Sequence, residues 1–414
     1  MEDNGRPLKI CMISYRSNPF CGGQGVYVKQ LSRALTDLGH TVEVVSGPPD
    51  PCLDPDVAVH RLPCLDLYDP ANFCRLPTIR EFMDPVNVIE WLGVCTMGFP
   101  EPYTFGLRAR RFLRDKFRKY DVIHDNQSLS HGVLALKKFR PTIATIHHPI
   151  TQDRKIDLMS VKAPWKKMKW ARWYSFLGMQ KKVARGLTPI LTVSACARRD
   201  ISRDFGIPED RFRIAPNGID IEAFRPLPGI ERDPNRLIVT NSADMPLKGL
   251  NYLLLALAAL NQKRDARLTV IGAPKRGGMV ANLVKDLGLG EKVYFTGRVS
   301  QEEFRWHYAK ASVAVVPSVY EGFGLPAGEA MACGLPVVST TGGALPEVVG
   351  DAGLLVPTRD PAALAQAVAT LLDNPEYAAK VGRAGYERVH SQFTWKNAAL
   401  KTAAAYREAI RDYR

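Results

Sequence analysis

One stretch near residue 320 restricts the fold of this chain more than any other. The apolar run Ala314-Val315-Val316-Pro317-Ser318 reads as the end of a strand. Glu321-Gly322-Phe323-Gly324-Leu325-Pro326-Ala327-Gly328-Glu329 follows it, and Ala330-Met331-Ala332-Cys333-Gly334 then reads as the close of a helix with a glycine stop. Strand, glycine-rich loop and helix in succession point to a parallel α/β sheet. Glycines let the backbone come close to a ligand. The free N–H groups of a helix start favour an anion, and Pro326 suits a first helical turn because its missing N–H is not needed there. Glu321 stands before the loop and Glu329 inside the helix. Two carboxylates bracketing a row of amide donors suit a ligand with hydroxyls at both ends and negative charge in the middle. Two glutamates at this spacing alone would mark an ordinary surface turn; the flanking strand, glycines and small-residue helix make the pattern specific.

The rest of the chain is organised in a compatible way. Its 414 residues are enough for two or three domains with full cores, and 46% hydrophobic with 24% charged residues is ordinary for a globular protein. The first residues, Met1 to Pro7, are polar, with no signal-peptide pattern, and no stretch reaches the apolar length of a membrane span. Eight scattered cysteines without a Cys-x-x-Cys pair read as reduced thiols of a cytoplasmic protein. The net charge of +14 is uneven: residues 1–225 hold 34 Lys+Arg against 24 Asp+Glu, and the remainder 22 against 18. An anionic partner for the first half is the natural suspicion.

In chain order, Leu8-Lys9-Ile10-Cys11-Met12-Ile13-Ser14 reads as a first buried strand. Gly22-Gly23-Gln24-Gly25 opens a helix that ends at Gly39-His40, and Thr41–Ser46 is the next strand. The turn lacks the G-x-G-x-x-G spacing of dinucleotide binding, which counts against NAD. Residues 47–105 are rich in turn formers, with Trp91-Leu92-Gly93-Val94 as one apolar island; Asp54-Pro55-Asp56 lies there without a preceding strand and reads as solvated surface, not a metal site. Strands ending at Asn126 and at His147-His148 place polar side chains where parallel sheets present ligands. Residues 108–119 carry seven bases and one acid, and 154–185 ten bases and one acid. Within the latter, Trp170, Trp173, Tyr174 and Leu177 fall at helical spacing, flanked by Lys166, Lys167, Lys169, Arg172, Lys181 and Lys182. Two readings stand for that stripe: a face that docks on an anionic membrane surface, helped by 108–119, or an aromatic face turned into the core.

Taken together, these motifs resemble the retaining group 1 (family 4) glycosyltransferases, and the resemblance spans nearly the whole chain. It rests on the 321–329 segment, on Gly-Gly-x-Gly at 22–25, on Ala144-Thr145-Ile146-His147, on Pro216-Asn217-Gly218-Ile219-Asp220 and on Lys248-Gly249. It implies an α/β GT-B fold, two Rossmann-like domains facing a central cleft. The N-terminal domain, 1–225, would be the acceptor side, joined by a C-terminal helix at 394–414, and 226–393 the donor side. It implies a hexosyl transfer from a nucleotide-diphosphate sugar to an acceptor hydroxyl, on a lipid-linked or glycan acceptor, with no metal and no cofactor. Glu321 and His147 would be catalytic. Gly23, Lys248, Val299, Phe323, Gly324, Leu325 and Glu329 would hold the donor, with Glu329 on the ribose. Gly25, Asn126 and Arg154 would lie on the acceptor or sugar side. The family usually carries an arginine five or six residues before its lysine; here Ser242 or Ala243 stands there, and Arg16 and Arg154 are candidate replacements. The alternatives are a nucleotide-sugar epimerase of the same fold and a non-enzymatic basic nucleic-acid binder; no nucleic-acid motif supports the latter.

Overall fold

A computed structural model describes residues 5–17, 23–69, 72–240 and 244–413. The chain divides into two units, each built on one parallel sheet. The N-terminal sheet consists of β1 (Lys9–Ser14), β2 (Thr41–Ser46), β3 (Ala58–Arg61), β4 (Val122–Asn126), β5 (Thr142–Ile146), β6 (Ile190–Thr192) and β7 (Phe212–Ile214), in the order β3-β2-β1-β4-β5-β6-β7. The C-terminal sheet consists of β8 (Arg236–Thr240), β9 (Arg267–Ile271), β10 (Val293–Phe295), β11 (Val313–Val316), β12 (Val337–Thr340) and β13 (Leu354–Val356), in the order β10-β9-β8-β11-β12-β13. Both sheets therefore reverse direction beside their first strand, as Rossmann-like sheets do, and each has one switch point, at β1/β4 and at β8/β11.

The strands are apolar because helices cover both faces. Ile10, Cys11, Met12 and Ile13 in β1 are fully buried, with Ile10 opposite Val42 on one side and Val122 on the other. A one-residue slip would exchange the two sets of packed side chains, so the register is held firmly. In the second unit Leu250, Leu253, Leu254 and Leu257 of the helix Leu250–Leu260 pack with Leu237, Leu268 and Val313 of the sheet. Each fully buried leucine is worth about 1.5–3 kcal/mol of transfer free energy.

The first unit takes residues up to 193, 197–215 and 398–413; the second takes 194–196 and 216–397. Residues 216–225, assigned from the sequence to the N-terminal domain, thus cluster with the second unit. Ile219 explains part of this: its N–H donates to Phe393 O at 2.7 Å, and it bridges Thr394, while a Cβ on Gly218 would lie 2.3 Å from the Trp395 nitrogen. The helix Trp395–Asp412 passes to the first unit at residue 398, where Tyr406 is fully buried and its hydroxyl meets His124 Nδ1 at 2.7 Å.

Residues 47–105, opaque in sequence, form β3, a capping-box turn at Ile79–Phe82 and the helices Pro85–Cys95 and Glu101–Leu113. The basic stretch at 108–119 is largely paired: Arg108 with buried Glu90, Arg111 with Asp84, and Lys119 with Glu43.

Residues 154–185 correct the expectation of one amphipathic helix. They form Thr151–Ser160, Pro164–Trp173, a 3₁₀ turn Tyr174–Phe176 and Leu177–Arg185. Tyr174 and Leu177 are buried, and Trp173 stacks on Phe99 with centroids 5.0 Å apart. That part of the stripe packs into the domain because three rings, Tyr68, Phe99 and Phe176, offer it an apolar socket.

Candidate active site

The C-terminal switch point carries the glycine-rich stretch. β11 ends at Val316, and residues 317–324 lead into the helix Leu325–Ala332, with Pro326 in its first turn. Gly324 has φ +108° and caps that helix, a conformation that a side chain would strain. The neighbouring turn Pro246–Lys248 ends at Gly249, whose φ is +65° and whose missing Cβ would stand 2.0 Å from Pro317 O. Val319 N–H donates to Leu247 O at 2.8 Å, which fastens the two loops together. On the other side Ala344 N–H donates to Glu321 O, and a Cβ at Gly343 would approach that same oxygen to 2.2 Å. Glycine thus lets three backbone segments close around Glu321.

The side chains use this scaffold. Lys248 Nζ donates to Glu321 Oε1 at 2.7 Å, and Ser318 Oγ donates to the same oxygen at 2.8 Å. Glu329 lies half-buried in the helix Leu325–Ala332; burial pushes its carboxyl up to about 7, Asp220 adds to the rise and Lys248 opposes it. Phe323 is buried against Phe393 beneath the loop, and Ser194 Oγ donates to Gly322 O at 2.8 Å. Pro326 has no N–H, and the Ala327 and Gly328 N–H groups donate to Gly324 O at 3.1 and 3.3 Å, so the Leu325 N–H is the helix-start amide open to a ligand. A cation, a helix-start amide and two carboxyl groups thus gather at one sheet edge, able to hold a diphosphate and the hydroxyls beside it. Val299 is half-buried in the loop after β10, and no contact among the described residues ties it to these groups. Ser242 and Ala243, where the family's arginine would stand, lie outside the described residues.

The N-terminal switch point is built from side chains. His147 Nε2 lies 2.7 Å from Asn126 Oδ1, and the His147 N–H donates to Gln127 Oε1 at 2.8 Å. Asn126 Nδ2 donates to Ser14 Oγ at 3.2 Å and toward Gln24 O at 3.5 Å. With its amide group so engaged, Asn126 presents its oxygen to His147, which assigns the histidine proton to Nε2. Burial lowers the His147 pKa to about 3, with His148 and His124 adding to the fall. The ring is therefore neutral, with the Nδ1 lone pair as its acceptor. Tyr27 meets it edge-on, with centroids 4.5 Å apart. Tyr27, Thr145, His124 and Tyr406 continue inward as a buried chain of contacts at 2.9, 2.7 and 2.7 Å. Gly23 and Gly25 begin the helix Gly23–Asp37, next to the Gln24 carbonyl that Asn126 approaches. Arg154 is exposed on the helix Thr151–Ser160, and no described contact brings it to His147. Arg16 is paired with Glu101 at 3.1 Å. Glu101 was not legible as a site residue, because it follows a turn-rich stretch with no periodicity.

Residues 21–223 match Glycosyltransferase Family 4, and residues 234–374 match Glycosyl transferases group 1. An MMP alpha-(1->4)-mannosyltransferase of Mycolicibacterium hassiacum is 43% identical over 408 residues, 97% of this chain and 98% of that protein. This chain is a family 4, group 1 glycosyltransferase. A D-inositol 3-phosphate glycosyltransferase of Frankia alni is 30% identical to this glycosyltransferase, over 94% of its chain and 95% of the relative. Among solved structures, sucrose-phosphate synthase from Thermosynechococcus elongatus aligns with TM-score 0.74 and 26% identity over 98% of this chain and 100% of that one. The Anabaena protein HepE, solved in complex with UDP and glucose, shares the fold at TM-score 0.69 and 16% identity, over 96% of this chain and 98% of that one. The GT-B architecture of two Rossmann-like domains follows from the two sheets and these neighbours.

Proposed function

We propose that this glycosyltransferase moves a mannosyl group from a nucleoside-diphosphate sugar to an acceptor hydroxyl, with retention at the anomeric carbon. The Lys248–Glu321 pair carries the reading. It sits at the mouth of a helix N-terminus, where an incoming diphosphate competes for the lysine and frees the glutamate for sugar hydroxyls. The mannosyl assignment rests on the 43% identical relative, whose name specifies an α-(1→4)-mannosyl transfer.

In the reaction the bond from the anomeric carbon to the diphosphate oxygen breaks, and a bond to the acceptor oxygen forms on the same face. The acceptor proton leaves with the diphosphate. Lys248 and the helix-start amide oppose the charge that gathers on the leaving group, so the reading requires no metal. Glu321 faces the cationic sugar and Glu329 the ribose, while the neutral His147 accepts a hydrogen bond from a hydroxyl through Nδ1 and takes up no proton. The test is product analysis with a panel of nucleotide sugars, with and without acceptor. Acceptor-dependent release of nucleoside diphosphate is expected. Acceptor-independent conversion of the nucleotide sugar into its epimer overturns the reading.

We also propose peripheral docking on anionic bilayers, carried by residues other than the packed stripe. Met159, Trp165 and Met168 are exposed by 83%, 62% and 66% and stand among Lys162, Lys166, Lys167 and Lys169. No helix among the described residues is long and apolar enough to cross a membrane. Flotation with anionic but not neutral vesicles at low salt is expected, and its absence removes this reading.

A further inference from the structure

A chain of contacts leads from His147 to a second pair of charged groups. His147 Nε2 meets Asn126 Oδ1, Asn126 Nδ2 donates to Ser14 Oγ, and Ser14 Oγ donates to Arg16 O at 3.0 Å. Ser14 ends β1 and Asn126 ends β4, so Arg16 stands at the lip of the N-terminal switch point. Its Nε lies 3.1 Å from Glu101 Oε2, and its guanidinium lies 5.7 Å from the centre of the Tyr68 ring. Tyr68 is held in turn by its hydroxyl, which donates to Gly98 O at 2.7 Å.

This pair differs from its neighbour. Arg108 and Glu90 are sealed in the core: Glu90 takes bonds from Arg108, Thr104 Oγ1 and Leu65 N–H, and Arg108 also donates to Asn87 Oδ1, with its Nε left over. Arg16 and Glu101 are close but misaligned, and Arg16 Nε and Glu101 Oε2 make no well-formed hydrogen bond. A third of the Arg16 side chain stays exposed. Buried polar atoms left in this state are costly, and a ligand that completes them regains the difference. Donors on Arg16 beside acceptors on Glu101 match adjacent hydroxyls, each of which both donates and accepts. The surroundings disfavour an anion. Asp66, Glu90 and Arg108 also act on Glu101, and Arg108 is already bound to Glu90. A sugar phosphate approaching Arg16 would also meet Asp66, on which Arg16 already acts, and Glu90.

Resting on the transferase reading above, we propose that Arg16 and Glu101 form the acceptor subsite and that it takes a neutral saccharide through adjacent hydroxyls, not a phosphorylated acceptor. Burial supports a titration signature: it raises the Glu101 carboxyl to about 8, with Asp66 and Glu90 adding and Arg16 and Arg108 opposing. Tyr15, Tyr68 and Cys64, which Glu101 also acts on, are pushed by burial above that range.

The experiment uses the full chain, the donor found in the nucleotide-sugar panel, and three acceptor probes: methyl α-mannopyranoside, α-(1→4)-mannobiose and D-inositol 3-phosphate. Mannosides are expected to be used and the inositol phosphate not. Arg16→Gln and Glu101→Gln should each raise the mannoside KM about tenfold, with kcat and nucleoside-diphosphate affinity nearly unchanged and Arg16→Lys partly restored. The mannoside KM should vary between pH 7 and 9 in the parent and be flat in Glu101→Gln. Preference for inositol 3-phosphate overturns the inference and leaves the transferase reading standing. So does an unchanged acceptor KM in both variants, or an equal loss of nucleotide affinity. Absence of transfer from any donor to any acceptor removes the transferase reading itself, and this inference with it.

Discussion

The two switch points share one topology and solve different problems. At β8/β11 the ligand-facing surface is mostly backbone. Gly249, Gly324 and Gly343 all have positive φ and let loops meet at distances that a Cβ would forbid. At β1/β4 the surface is side chain: His147, Asn126, Ser14, Arg16 and Glu101 form one connected series. The first arrangement suits a diphosphate, whose charge is met by a helix-start amide and one lysine. The second suits a neutral partner recognised hydroxyl by hydroxyl. The same strand order therefore does not dictate what an edge binds; the loops beyond the strands do.

Substitutions can break this contrast. The largest effect is expected from Glu321→Gln, which replaces a charge facing a developing cation: a fall in kcat on the order of a hundredfold or more, with an unchanged melting curve. Normal turnover by the folded variant would take Glu321 out of the mechanism. Gly249→Ala tests whether the donor edge depends on backbone. Its Cβ would meet Pro317 O at 2.0 Å in a left-handed conformation, so a loss of roughly 1–3 kcal/mol in urea unfolding is expected, with weaker nucleotide binding. Unchanged stability would mean that the loops can part without cost.

Lys248→Ala should weaken nucleoside-diphosphate binding roughly tenfold and nucleoside binding far less, since only the diphosphate carries the charge. Calorimetry with both ligands decides it; equal losses would place the lysine's role in folding. Asn126→Ala probes the opposite edge. It frees the His147 tautomer and should lower kcat about tenfold while leaving nucleotide affinity alone, the reverse of the Lys248 pattern.

The smallest effect is a pH dependence at Glu329. Its folded-state value near 7 exceeds the ordinary 4.5, so the folded form holds the proton more tightly. The stability from that proton is full below pH 4.5 and is lost as pH rises through about 7. Donor affinity should run the other way, because an ionised carboxylate accepts better from ribose hydroxyls. A rise of a few-fold between pH 6 and 8 is expected from titration, absent in Glu329→Gln. The same slope in both proteins would remove Glu329 from the ribose.

The edge proposed for the donor was legible because its requirements are local. Strand, glycine loop, proline and helix follow each other within twenty residues, and Lys248-Gly249 is a short motif of its own. Asn126 and His147 were legible because each stands at the carboxyl end of a strand that the sequence predicts. Arg16–Glu101 was not, since the two residues are 85 positions apart and Glu101 sits beyond a stretch without periodicity. The aromatic stripe at 170–177 misled for a related reason. Its spacing is compatible with a membrane face and with a core face alike, and only the socket of Tyr68, Phe99 and Phe176 decided in favour of packing.

Sequence alone determined the fold class, the two sheets, the family and the glycine-rich loop before residue 325, because apolar runs, glycine positions and helix signals act over a few residues at a time. Tertiary structure decided which charges are spent on one another. The basic excess of the first half suggested an anionic partner, yet Arg108, Arg111, Lys119 and Arg16 each face a carboxylate that arrives from elsewhere in the chain. Net charge sums over residues regardless of distance, whereas the interaction that a ligand meets falls off within a few ångströms of each group.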